Sequence, residues 1–153
     1  MSDFDPDFDD LLQPTVQEEA RPRGPLPWRL QSQFWVAFFG GAFAVTVIAL
    51  LNAMRLDVDR TKRWLIVVAG LVGMGLTAVV FLLTEHASQS RIGARVVGVV
   101  LFLVLRPLQK GADDHHQVFR GGDYASLWGP GIAATIAGVG VNVGLSMALE
   151  RLQ

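Results

Sequence analysis

Long uncharged apolar runs alternate with short charged connections along this chain. FWVAFFGGAFAVTVIALLNAM over residues 34–54 and WLIVVAGLVGMGLTAVVFLLT over residues 64–84 contain no charged side chain. As helices rising 1.5 Å per residue, each reaches about 31 Å, the thickness of a bilayer's hydrocarbon core. Neither keeps the polar face of a water-soluble helix. Both are therefore predicted to span a membrane. The connection RLDVDRTKR is so short that the two must run antiparallel.

The last run, GPGIAATIAGVGVNVGLSMALE, opens on Gly129-Pro130, and proline suits a first helical turn because its missing N–H costs nothing there. A span over 130–149 follows. Ala133, Ala137, Gly140, Gly144 and Ala148 recur every three or four positions, which puts them on one stripe of a helix. Small residues let backbones approach in lipid, so the stripe predicts a helix-packing seam, within the monomer first and between copies second. Asn142, near mid-bilayer beside the glycine pair, is expected to make an interhelical hydrogen bond.

IGARVVGVVLFLVL, residues 92–105, is short for a span. Snorkelling of Arg91, Arg95 and Arg106 would let a helix over 92–106 cross, with a re-entrant segment as the alternative. Arg106-Pro107 is expected to end it, because proline pushes the preceding residue out of helical geometry. The fold class is thus an all-α integral membrane protein. It is a four-helix transmembrane bundle over 28–153, its third helix short or re-entrant, behind a disordered acidic tail and proline-rich linker over 1–27.

Composition narrows the partners. With a net charge of −1 over 153 residues and no continuous basic stripe, nothing points to nucleic acid. The absence of cysteine excludes disulfides and thiolate chemistry. The acidic start MSDFDPDFDDLLQ lacks the positive n-region of a secretory signal. Its residues 4–12 bring Phe8, Leu11 and Leu12 to one face if helical, a candidate docking segment for a membrane or cytosolic protein. Four spans would leave Arg21, Arg23, Arg29, Arg91, Arg95 and Arg151 on one side. Arg55, Arg60, Lys62, Arg63, Arg106, Lys110 and Arg120 would lie on the other, an even split that leaves orientation unset. The expected setting is the cell (inner or plasma) membrane with a cytoplasmic N-terminus.

Candidate chemistry concentrates in DDHHQVFRGGDYASLWGPG, residues 113–131. His115 and His116 are adjacent, so on a helix their rings diverge by about 100°, which with Asp113 makes them only weak metal candidates. Asp113 and His116 could meet if the segment is helical, but catalytic zinc wants three protein ligands. No metal or cofactor is expected. Arg120 with Gly121, Gly122, Trp128 and the N–H groups from Gly131 onward forms a candidate lipid-headgroup or phosphate site. Gly121-Gly122 permits a turn, and Tyr124 and Trp128 are rings that settle at a membrane interface. No ionisable group lies deep in a span except Arg95 near an end, unlike a proton-coupled transporter.

The function expected is that of a non-catalytic multi-pass membrane protein, an accessory or assembly subunit or scaffold bound to the lipid bilayer. The alternative is a membrane-surface enzyme or headgroup binder using the 113–131 loop. A third is a small oligomeric pore lined by Thr135, Asn142 and Ser146.

Overall fold

The computed structural model describes residues 25–84, 87–119 and 122–151. The tail with its docking segment 4–12, His86, Arg120 and Gly121 lie outside the described residues. A 3-10 turn, Leu30–Ser32, leads into four helices: α1, Gln33–Arg55; α2, Arg60–Leu83; α3, Ala87–Phe119; and α4, Trp128–Glu150. No strand occurs among the described residues. All four segments are long and apolar enough to cross a membrane. Their outer surfaces stay apolar, with Trp64, Leu71, Leu83 and Ile136 all well exposed.

The first run nevertheless does not cross as a straight rod. Gly41 has φ 70° and ψ −162°, a conformation open to glycine alone, and it folds α1 into two limbs, 33–40 and 42–55. Chain length proves the reversal. A straight α1 would separate Gln33 from Asn52 by about 28 Å. The five residues from Trp28 to Gln33 reach about 18 Å at most. Yet the Trp28 backbone N–H donates to Asn52 Oδ1 at 2.6 Å, and Arg55 donates to the Leu26 carbonyl at 2.8 Å.

Helix α3 records the same path. Gly98 touches the backbone of Ala37 and Gly41 at the apex. Further toward the C-terminus of α3, Phe102 meets Phe34 of the first limb and Gln109 meets Asn52 of the second. Both limbs thus descend from the apex toward one end of the bundle, here called the base. The expected span over 34–54 is corrected to a hairpin that reaches partway up.

The other three helices run the full height. Gly73 and Gly70 of α2 lie against Ala42 and Thr46 of the second limb, and higher up Val80 packs on Gly93 of α3. On α4, Gly131 receives Val36, while Gly138 lies so close to the Gly40 carbonyl that a Cβ there would collide. Hairpin, α2 and α3 enclose a core of Ala37, Val45, Ala49, Ile66, Leu101, Phe102 and Leu105. A second core joins Trp28, Val36, Ala44, Ile48, Leu127 and Ala134. The hairpin separates α3 from α4, which have no Cα atoms within 8 Å of each other among the described residues.

Two further expectations change. Helix α3 continues through Pro107 to Phe119 instead of ending at Arg106. The local bias before proline is overridden because Gln109, Asp113 and His116, spaced four and three, form a buried face that only a helix can present. The small-residue stripe on α4 does not pack within the chain: Ala133, Ala137, Gly140, Gly144 and Ala148 are all exposed. Contact with the hairpin is made instead by Gly131, Ala134 and Gly138, about 110° around the helix, because that register sets glycine against the Gly40 backbone.

Candidate functional site

The base gathers most of the polar chemistry. A buried amide pair ties it together. Asn52 accepts from the Trp28 backbone and donates to Gln109 Oε1 at 3.2 Å, and Gln33 at the start of α1 is buried as well. The Nε2 groups of Gln33 and Gln109 have no hydrogen-bond partner among the described residues. Just below this plug, at the end of the second limb, Arg55 stacks on the Trp28 ring at 3.9 Å, so the guanidinium is held by an aromatic face and a carbonyl together.

The stretch 113–131 divides into the end of α3 and a loop folded back on it. His116 Nε2 lies 2.9 Å from the Asp123 carbonyl and is assigned as its donor. The Tyr124 hydroxyl donates to Asp113 Oδ1 at 2.9 Å, and its ring meets that of His116 edge-on at 5.5 Å. Ala125 N–H donates to the Pro27 carbonyl, tying the loop to the N-terminal segment. Burial, helped by the Asp113 carboxylate, pushes the Tyr124 phenol above its ordinary value, so it stays a donor.

Adjacent histidines diverge on this helix: His116 is buried, while His115 is exposed against Phe119. Asp113 and His116 share a face, and each makes one hydrogen bond to the loop, Asp113 through Oδ1 and His116 through Nε2. No cluster of three His, Cys, Asp or Glu that could hold a metal occurs among the described residues. Of the expected headgroup residues, Gly122 forms the turn with φ 68°, and Trp128 stands 80% exposed at the start of α4. The N–H of Gly131 is not available to an anion, since it donates to the Leu127 carbonyl at 2.7 Å. Asn142 approaches Gly41 at the hairpin apex.

Two concavities open here. A trough of about 1080 Å³ runs between the first limb, through Trp35 and Phe39, and α4, through Ile132 and Ile136. A polar basin of about 430 Å³ lies between the N-terminal segment and α3. They share Arg29, Gly122 and Tyr124. Arg106, Lys110, Asp113 and Gln117 reach the basin from one face of α3, at i, i+4, i+7 and i+11. That pattern stands in the sequence, but it is hidden once Pro107 is taken as a helix end. Comparison with protein-family models, with curated proteins and with solved structures returned no match.

Proposed function

We propose that the chain is a non-catalytic integral protein of the cell membrane, an accessory or assembly subunit whose α4 receives a second transmembrane helix. The observation that carries this reading is the one-sided packing of α4. Only 11% of its apolar window is buried, and a Cβ at Gly140 or Gly144 would meet nothing within 4 Å. A stripe of small residues facing lipid gains close packing only when another helix arrives. Asp113 and His116, the residues an enzyme would draw on, are committed to loop contacts, which favours this reading over a catalytic one.

The hairpin also bears on orientation. With α1 returning to its own side, the base holds Arg29, Arg55, Arg60, Lys62, Arg63, Arg106 and Lys110. The opposite end holds Arg91, Arg95 and Arg151. Seven against three among the described residues favours a cytoplasmic base and N-terminus. An even split under four spans becomes a clear bias under three.

The test uses the absence of native cysteine. Single cysteines at Ala137, Gly140 and Gly144 should form disulfides or capture a neighbouring helix in native membranes, while cysteines at Ile132 and Val139 should not. Cross-linking equal at all five positions, or at none, would sink the proposal.

A further inference from the structure

We infer that the base of the bundle binds a phospholipid whose headgroup carries a primary ammonium. Its phosphate lies among Arg29, Arg106 and Lys110, its ammonium toward Asp113 and Asp114, and one acyl chain runs along the trough. This depends on the chain being a membrane protein but not on any partner for α4, which uses the opposite flank of that helix.

Three observations converge. The basin and the trough share Arg29, Gly122 and Tyr124, so a headgroup-sized polar chamber opens into an elongated apolar one. That is the shape of an amphiphile lying with its head at the surface. Next, the cations are available. No carboxylate among the described residues forms an ion pair with Arg106 or Lys110, and both side chains are exposed to the basin. Arg29 is already oriented by the Tyr124 ring, 5.4 Å from its guanidinium. Unpaired guanidinium and ammonium groups at a membrane surface suit a phosphate diester.

The third observation selects the headgroup. Asp113 and Asp114 line the same basin. A bare phosphate or a phosphatidylglycerol would bring only negative charge against them. A zwitterion satisfies both signs at once, and a primary ammonium offers three N–H donors to carboxylates. A quaternary choline offers none. Asp113 is held in place by the Tyr124 hydroxyl, and Asp114 is exposed beside it with no ion pair among the described residues. The walls fit the remaining part of the ligand: Trp35, Phe39, Ile132 and Ile136 present aromatic and aliphatic surface along the trough.

Native mass spectrometry of the full chain in mild detergent tests this, with titrated phosphatidylethanolamine, phosphatidylglycerol and phosphatidylcholine of identical acyl chains. Phosphatidylethanolamine should bind about tenfold more tightly than the other two, the worth of one charge-assisted contact. Inorganic phosphate should not displace it, because phosphate lacks the chain that fills the trough. Arg106→Ala with Lys110→Ala should weaken phosphatidylethanolamine by a similar factor. Asp114→Asn should lower it to the phosphatidylcholine level, and Ile132→Trp, which obstructs the trough, should weaken all three lipids. Circular dichroism confirms that each exposed-site variant keeps its helix content. Equal affinity for the three lipids, preference for phosphatidylglycerol, or displacement by phosphate alone overturns the inference. A chain that stays soluble without detergent would refute the membrane reading itself, before any lipid is added.

Discussion

Gly41 is the residue on which the architecture turns. Its φ of 70° is strained for any side chain, and a Cβ would also stand 3.0 Å from Asn142 Nδ2. Gly41→Ala should therefore destabilise the protein by roughly 1–3 kcal/mol. Gly111→Ala, in the exposed part of α3 where a Cβ meets nothing within 4 Å, should stabilise by about 0.5–1 kcal/mol. Thermal unfolding in detergent separates the two. Asn52→Leu would strand the Trp28 N–H in a closed site and is expected to cost about 1–3 kcal/mol by the same measurement.

Tyr124 is the only tyrosine in the chain, so phenolate absorbance reports on it alone. Its pKa is raised in the fold, so its contribution is fully present below the ordinary tyrosine value of 10.0 and is lost as pH rises through the folded value. The titration midpoint should lie above that of free tyrosine. Asp113→Asn should lower it partway only, since burial is the larger cause. Asp59 runs the other way. Its carboxylate accepts from the Thr61 backbone N–H at the start of α2, which holds its pKa below 3.8. Its stabilisation is present above that value and is lost as pH falls through the folded pKa. The melting difference between the protein and Asp59→Ala should accordingly close in acid.

Among the elements, α2 and α4 were legible from the sequence because an uncharged run of bilayer length admits few other readings. The break in α1 was not. Glycine is common in transmembrane helices, and FFGGAF does not reveal whether its pair is merely small or takes a left-handed turn. Gly98, Gly138 and Asn142 decide that, and they lie far along the chain. The same applies to α4, where two sets of small residues interleave and only the position of the Gly40 backbone selects one. Pro107 misled by its local rule. Cysteine scanning of 108–117 should show slow labelling at 109 and 113 and fast labelling at 110, 114 and 117. A loop starting at Pro107 would label uniformly.

For the molecule as a whole, the decisive quantity is the number of crossings. Three through-going helices and a returning hairpin put the N-terminal segment and Arg151 at opposite ends. Cysteines at Gln31 and Lys62 should label from one side of a sealed vesicle, and a cysteine at Arg151 from the other. With four spans, Gln31 and Lys62 would label from opposite sides. Of the residues lining the two concavities, Trp128 and Gly122 stand out in the sequence by residue type, whereas Arg29, Arg106 and Lys110 read as ordinary flanking charges until the hairpin draws the N-terminal segment against α3.

The hairpin has a consequence for the order in which the protein is made. Its two limbs leave the ribosome before the surfaces of α3 and α4 that hold its apex. Backbone turned at half depth in lipid cannot satisfy its own polar groups. The same stretch, drawn out straight, is long enough to cross the bilayer. On the proposed membrane reading, the straight and the folded forms of this segment lie on different topological routes, and the first loop reaches its final side only after α3 and α4 have emerged to hold the apex.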